Sequence, residues 1–392
     1  RSAAETAMIL RCIPWLLYGM AVAPSCEVPS ALDLKLMKEV TVNLNENHAI
    51  SPFVMSTLMS QVWLATNGST RDEITPVLGV TQPAPLSFLT AYKSAISYLS
   101  SSSASSQLTT SVFNRMYVRS GFSVRPTFTN YLTTYYGNTV GTFSTPAQGV
   151  TLINGDVAAA TEDRIQDLVQ TSHLRFAEVV LVSAMYFKGV WKQTFPPAAP
   201  GTFLTGNGEK QVNMMKLNLT ELQYANRGTY DVVALPYTDE DYCMLLIRPL
   251  ERSMSAVTAL RNSLGTLSVN SIVQQLVRQP VYVTLPRFKI ESDYSLVDDM
   301  QQLGIKQIFS AEADFSSLTD DWQGLFVTAI LHKVFIEVNE NGTEAAGAGA
   351  VIIGRGNPPA DFKADRPFFA VVYNKQHKIN MFTAYVGDPT QA

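Results

Sequence analysis

The order of two hydrophobic patterns most constrains the fold of this 392-residue chain. Apolar residues recur at helical spacing through its first third, where helices are predicted at 31–44, 52–66, 71–79, 86–99 and 125–136. Later segments are rich in Val, Ile, Tyr and Phe, and strands are predicted at 178–191, 230–237, 242–250, 281–290, 370–374 and 379–389. Helices followed by strands predict an α+β fold with large, mostly antiparallel sheets.

Composition narrows the class of protein and of partner. Hydrophobic residues make up 46% of the chain and charged residues 16%, so it can bury a large core. The formal net charge of −4 provides no basic field of the kind that attracts nucleic acid or anionic membranes. The length alone allows two or three domains, but the chain has no internal repeat, heptad array or long linker.

The chain carries none of the compact sequence motifs of catalysis. It has no G-x-S-x-G elbow, no phosphate-binding loop, no H-E-x-x-H and no Cys/His cluster with metal-ligand spacing. No two of its four histidines, His48, His173, His332 and His377, lie within a helical turn. A scattered Ser/His/Asp triad leaves no such motif, so an enzyme stays the third hypothesis. We expect no metal and no cofactor.

The first residues have the pattern of a secretion signal. Residues 1–7 precede the first plausible start, Met8, and we interpret them as a cloning remnant outside the fold. Residues 8–23 contain one cation, Arg11, an apolar run over 12–22 and a small-x-small cleavage site. This predicts a signal peptide and a secreted, extracellular protein. The alternative is an apolar first helix that is retained, since the run is too short to span a bilayer.

Cysteines and sequons fit an extracellular chain. After cleavage at Ala23, Cys26 and Cys243 remain, and they form either one disulfide or two free thiols. Asn67, Asn218 and Asn341 each begin an Asn-x-Ser/Thr triplet, which is an acceptor for N-linked glycans.

The segment LHKVFIEVNENGTEAAGAGA at 331–350 resembles the reactive-loop hinge of the serpins, the serine protease inhibitor family. Further blocks resemble serpin motifs in family order: 47–74 (NHAISPF onward), 181–195 (LVSAMYFKGVWKQTF), 212–217, 235–237, 285–318, 365–372 and 382–389. The second of these has Ser183 where the family usually has Asn. Because so many motifs follow in order, the resemblance covers nearly the whole mature chain.

The resemblance implies a serpin fold for a single domain at 24–392, with about nine helices, three β-sheets and an exposed reactive-centre loop near 340–362. It also implies a function. In inhibitory serpins a protease cuts this loop as bait and becomes ester-linked to it. The cut loop then enters the large sheet as a new strand and carries the protease along.

The hinge has side chains small enough for such an entry. It comprises Glu340, Gly342, Thr343, Glu344, Ala345, Ala346, Gly347, Ala348 and Gly349. With the period of two of a strand, Thr343, Gly347 and Gly349 share one face. The family commonly has Ala or Thr at these glycine positions, and Gly weakens a strand, so we expect slower insertion. An ordinary flexible Gly/Ala linker is the alternative interpretation.

The bait bond is predicted from spacing and charge. The usual count from Glu340 falls between Gly356 and Asn357, and one residue earlier lies Arg355 followed by Gly356. Arg355 is the only cation between Lys333 and Lys363 and would fit a trypsin-like protease. The alternative is a papain-like cysteine protease that reads Ile353 and cuts after Gly354. A third possibility is an exposed arginine without a target protease.

Other matched positions are assigned supporting roles by the resemblance. Ser51, Ser183 and His332 correspond to the shutter, whose hydrogen bonds control opening of the large sheet, and Trp191 corresponds to the breach, where the hinge enters. Val54 replaces the second shutter serine. Heparin binding is not expected because the corresponding helix, 86–99, offers only Lys93. We expect a monomer whose partner is its target protease, or, alternatively, a non-inhibitory carrier, storage or structural serpin.

Overall fold

The computed structural model describes residues 27–29, 31–80, 87–102, 108–340 and 359–391. Ten α-helices lie in these ranges: α1 Asp33–Val40, α2 Pro52–Ala65, α3 Gly68–Leu78, α4 Ser87–Ser102, α5 Pro126–Tyr136, α6 Pro146–Ala160, α7 Thr171–Leu174, α8 Met254–Ser263, α9 Val269–Gln274 and α10 Val297–Gln302. No helix in these ranges is long and apolar enough to cross a membrane.

Fourteen strands lie in the same ranges. They are β1 His48–Ile50, β2 Leu108–Arg119, β3 Gly141–Phe143, β4 Val179–Gly189, β5 Ala199–Thr205, β6 Gly208–Asn226, β7 Tyr230–Pro236, β8 Tyr242–Pro249, β9 Val277–Pro286, β10 Phe288–Ser295, β11 Val327–Val338, β12 Ala360–Lys363, β13 Phe368–Asn374 and β14 Ile379–Val386. The predicted α+β class is therefore confirmed.

Helix α2 lies at the centre of the core, and its sequence explains why it begins where it does. The Ser51 hydroxyl caps the helix by accepting from the Val54 N–H, and Pro52 occupies the first turn, where its missing N–H costs nothing. All fourteen residues of α2 are buried. The start of this helix is therefore a fixed point against which the sheets pack.

A five-stranded sheet has the order β10-β11-β4-β2-β3. Its central strands β4 and β11 are parallel neighbours, paired from Val179 opposite Val327 to Phe187 opposite Ile336. On one face, α6 and the segment after it are packed through Ile153, Val157 and Leu168 onto side chains of β2, β4 and β11. The sheet is thus closed at its centre and covered.

A larger sheet contains nine strands in the order β1-β14-β13-β8-β7-β6-β9-β12, with β5 paired to β6. Strand β6 pairs with β5 through its first half and with β7 through its last residues, and its register against β9 shifts between Leu217 and Thr220. A bulge of this kind bends a strand. The serpin resemblance implies three sheets. In the described chain two of them are joined into the nine-stranded sheet, because the long strand β6 takes part in both.

Element bounds differ from prediction where local chemistry intervenes. The helix predicted over 31–44 ends at Val40, where the Thr41 hydroxyl donates to the Met37 carbonyl. The single strand predicted over 281–290 is wrong: β9 ends at Pro286 and β10 begins at Phe288, because the N–H of Arg287 turns to the Asn213 carbonyl at 3.0 Å.

Candidate functional site

The two ends of the predicted bait segment lie on different sheets. Glu340 follows β11 in the five-stranded sheet, and Pro359 precedes β12 at the edge of the nine-stranded sheet. The predicted bait residues Arg355, Gly356 and Asn357, the alternative pair Ile353 and Gly354, and the hinge residues Gly342 to Gly349 all lie outside the described residues. Their roles stay predictions, and the described site consists of what holds the two ends.

Glu340, the first hinge residue, is held by three donors. Its side chain is 9% exposed, the Arg287 guanidinium donates to both carboxylate oxygens, and the Ala198 N–H donates to Oε1 at 2.7 Å. Burial alone would raise the pKa of Glu340, but these hydrogen bonds outweigh it and lower the pKa below its ordinary value. The predicted bait segment therefore starts from an ionised, fixed carboxylate.

Trp191 binds Asn339, the residue that precedes Glu340. The indole Nε1 donates to the Asn339 carbonyl at 3.0 Å, and the ring stacks on Tyr237 with centroids 4.5 Å apart. A cavity of about 460 Å³ lies beside this contact and is lined by Trp191 and by residues near the ends of both central strands, including Tyr186 and Phe335. The structure thus brings the predicted breach residue to the end of the β4–β11 pair.

The predicted shutter residues meet lower on the same pair. His332 of β11 is opposite Ser183 of β4 in register. The His332 Nε2 lies 2.9 Å from the Ser51 backbone nitrogen, and Nδ1 lies 2.8 Å from the Ser183 hydroxyl. Because a backbone N–H can only donate, Nε2 carries no proton and Nδ1–H donates to Ser183. One neutral ring therefore links both central strands to the start of α2.

Three supporting residues were missed from the sequence. The first is Asn114 of β2, opposite Ser183: with its side-chain amide oriented to satisfy both polar atoms, its NH2 group donates to the Val54 carbonyl at 3.0 Å. The second is Met381, whose carbonyl accepts from the Ser51 hydroxyl at 2.6 Å. Arg287 is the third. Asn114 alone left a signal, as a polar residue inside the strand-like run VFNRMYVR. No group of three or more His, Cys, Asp or Glu residues in the described ranges could hold a metal.

The hydrogen bonds from Arg287 and the Ala198 N–H to Glu340, here called the Glu340 clamp, can be tested by charge reversal. We expect Glu340→Lys to lower the free energy of unfolding by about 2–4 kcal/mol, since Arg287 and the Ala198 N–H would then face a cation. Glu340→Gln keeps an acceptor and should cost about 1 kcal/mol. Denaturant unfolding measures both, with Glu337→Gln on the exposed part of β11 as the control. A Glu340→Lys protein as stable as this control would show that the clamp contributes nothing.

The buried shutter histidine predicts a pH dependence. Burial lowers the pKa of His332 from 6.5 to about 3, so its neutral form is favoured in the folded protein. The resulting stability is complete above pH 6.5 and is lost as the pH falls toward 3, by about 1.4 kcal/mol per pH unit. Between pH 7 and 5 we expect the unfolding free energy to fall about 2 kcal/mol more than in His332→Gln.

Urea titrations at the two pH values measure this difference. His48 and His377, whose pKa values burial also lowers, are present in both proteins and cancel. His173→Gln, at a partly exposed helix position, controls for the loss of a histidine at a site away from the β4–β11 pair. Equal slopes for wild type and His332→Gln would refute a neutral shutter ring.

Comparisons with known proteins agree with this geometry. The family model for "Serpin (serine protease inhibitor)" matches residues 28–389. Iripin-1 of Ixodes ricinus is 32% identical over 353 residues, which cover 87% of this chain and 88% of that protein. Serine protease inhibitor 42Dd of Drosophila melanogaster is 29% identical over 363 residues, 89% of this chain and 92% of that one.

A solved structure adds the fold. Serpin48 of the insect Tenebrio molitor, described as a highly specific serpin, is 26% identical and aligns with a TM-score of 0.77 over 95% of this chain and 100% of that one. Since the family model covers nearly all described residues and the relatives match over most of their own length, this chain belongs to the serpin family.

Proposed function

We propose that this serpin is a secreted suicide inhibitor of a trypsin-like serine protease, and not an enzyme. One observation carries the proposal: the parallel β4–β11 pair is closed and ends at the clamped Glu340, directly before the small-residue hinge. A strand that enters there would find a ladder partner on each side. The family model and a curated relative both bear the name of serine protease inhibitors.

The chemistry follows from the bait bond. The protease nucleophile attacks the carbonyl carbon of Arg355, the bond to the Gly356 nitrogen breaks, and an ester joins Arg355 to the enzyme while the Gly356 amine leaves. Entry of the cut segment replaces the hydrogen-bond ladder between β4 and β11 with two ladders, one on each side of the inserted strand. At roughly 0.5–1.5 kcal/mol for each net hydrogen bond, about ten bonds favour insertion by roughly 10 kcal/mol.

The shutter controls this entry. To admit a strand, β4 and β11 must separate along the register that places His332 opposite Ser183. The hydrogen bond between these two side chains must therefore break. In the proposed mechanism the ester forms first, and the strands separate afterwards.

A protease panel with two variants tests the specificity. We expect wild type and Arg355→Lys to form SDS-stable complexes with trypsin-like enzymes, since both present a cation to the acidic specificity pocket, and Arg355→Ala to lose at least about 90% of the complex. The wild-type C-terminal peptide released by cleavage should begin at Gly356 by mass spectrometry. The cleaved protein should also gain many degrees of melting temperature.

The other outcomes separate the alternatives. A complex with a papain-like protease and a peptide beginning at Arg355 would favour the cut after Gly354. A peptide beginning at Asn357 would contradict the Arg355 assignment. Cleavage without complex or thermal gain would favour a non-inhibitory carrier, storage or structural role.

We also propose that secretion leads to a glycan at Asn218. Asn218 is exposed on β6 at the register shift before Thr220. In contrast, Asn67 Nδ2, the atom to which a glycan attaches, donates to the hydroxyls of Ser316 and Ser317 at 2.8 and 2.7 Å. A sugar on Asn67 would break at least one of these bonds. Asn341 lies outside the described residues, and a glycan there would hinder hinge entry.

Glycan mapping of protein secreted from eukaryotic cells checks this assignment. Asn218→Gln should remove the mobility shift that N-glycosidase produces, and Asn67→Gln should leave that shift unchanged. A glycopeptide that contains Asn67 would contradict the structural argument. The same preparation gives the mature N-terminus, expected at Pro24.

A further inference from the structure

A second cavity, of about 520 Å³, lies between the segment after β4 and the strands β6, β7 and β8. Its floor is apolar and only just accessible: Trp191, Phe195, Leu217, Leu222 and Leu235 are each 2–5% exposed. Cavities of 300–1,000 Å³ are the usual size for small-molecule sites. The floor therefore offers a surface for an apolar body of small-molecule size.

The rim of the cavity carries an excess of positive charge. Lys192, Arg278 and Lys375 line it together with two carboxylates, Glu221 and Glu240. Glu240 is already engaged, since Lys192 forms an ion pair with its carboxylate and Lys375 donates to its carbonyl oxygen. Arg278 lies near enough to interact electrostatically with the Glu240 carboxylate, but among the described residues that carboxylate is ion-paired with Lys192 and not with Arg278. Arg278 thus remains available to an external anion.

We propose that this cavity binds a small organic anion with an apolar body, such as a medium-chain carboxylate or an aryl sulfonate. The anionic head would accept hydrogen bonds from Arg278, whose planar guanidinium suits carboxylate and sulfonate oxygens. The body would pack on the floor around Trp191 and Leu222. An inorganic anion would leave this floor uncovered, and a neutral hydrocarbon would leave Arg278 without a partner.

Trp191 connects this cavity with the hinge. Among the described residues, it alone lines both this cavity and the cavity at the end of the β4–β11 pair, and its Nε1 donates to the Asn339 carbonyl beside Glu340. A ligand packed on the indole therefore contacts the ring that holds the start of the bait segment. Because linkage is reciprocal, loop insertion would change the affinity for the anion, a step that rests on the proposed inhibitory function.

Fluorescence titration with anilinonaphthalene sulfonate tests the site in the folded protein. Arg278→Gln should weaken binding about tenfold, and Arg278→Lys less than about threefold, because a cation is retained. Arg175→Gln, at an exposed arginine on the turn after α7, is the matched control and should bind as wild type does. Dodecanoate should displace the probe.

An uncharged probe separates charge from hydrophobicity. N-phenylnaphthylamine, which lacks the sulfonate, should bind the wild type and Arg278→Gln equally. The proposal is overturned if Arg278→Gln binds the sulfonate as tightly as wild type does, or if both probes lose affinity alike.

The coupling is tested on intact and loop-cleaved protein. We expect the sulfonate dissociation constants of the two forms to differ by at least about threefold. If the dissociation constants are equal and the melting temperature still rises on cleavage, the coupling through Trp191 is refuted, but the inhibitory proposal is not. Loss of the thermal gain, with Arg278-dependent binding intact, would refute the inhibitory proposal and leave the anion site.

Discussion

The parallel pairing of β4 with β11 is the contact on which the rest of the structure depends. It closes the five-stranded sheet at the place where a new strand would enter, and it is bridged by the His332–Ser183 hydrogen bond. The start of α2 supplies the Ser51 N–H to the same ring. Side chains of α6 and the following segment cover the paired strands from outside. A change in this pairing therefore has to move elements on both faces of the sheet.

Both ends of the predicted bait segment are held by hydrogen bonds from arginine side chains. Arg287 holds Glu340 at one end. At the other end, Arg248 of β8 pairs with Asp231 through two hydrogen bonds of 2.8 and 2.9 Å and donates to the Asp361 carbonyl in β12. An intact segment tied to two sheets cannot enter the smaller sheet along its full length unless β12 leaves β9. Cleavage between the two anchors would remove that restraint, so in the proposed mechanism a cut can trigger the change.

Elements with a clear local hydrophobic period, or with a family motif, were predicted correctly from the sequence. Helix α2 and strands β7, β8 and β14 lie within a few residues of their predicted bounds, since their patterns are continuous and strongly apolar. Helix α6 was not predicted because it buries only one narrow stripe, which includes Ile153 and Val157. The Glu340 clamp and the hydrogen bond of the Asn114 amide depend on contacts between residues far apart in the chain, and no local sequence pattern records such contacts.

In the proposed mechanism, the neutral state of His332 limits the cost of opening the closed sheet. The ring accepts from a backbone N–H and donates to a hydroxyl, a combination that neutral imidazole provides and a lysine cannot. Because the ring carries no charge, separation of β4 from β11 breaks neutral hydrogen bonds worth about 0.5–1.5 kcal/mol each. A buried ion pair at the same place would cost about 3–5 kcal/mol to break. In the proposed mechanism, a neutral shutter would add only a small barrier against the roughly 10 kcal/mol that insertion would release.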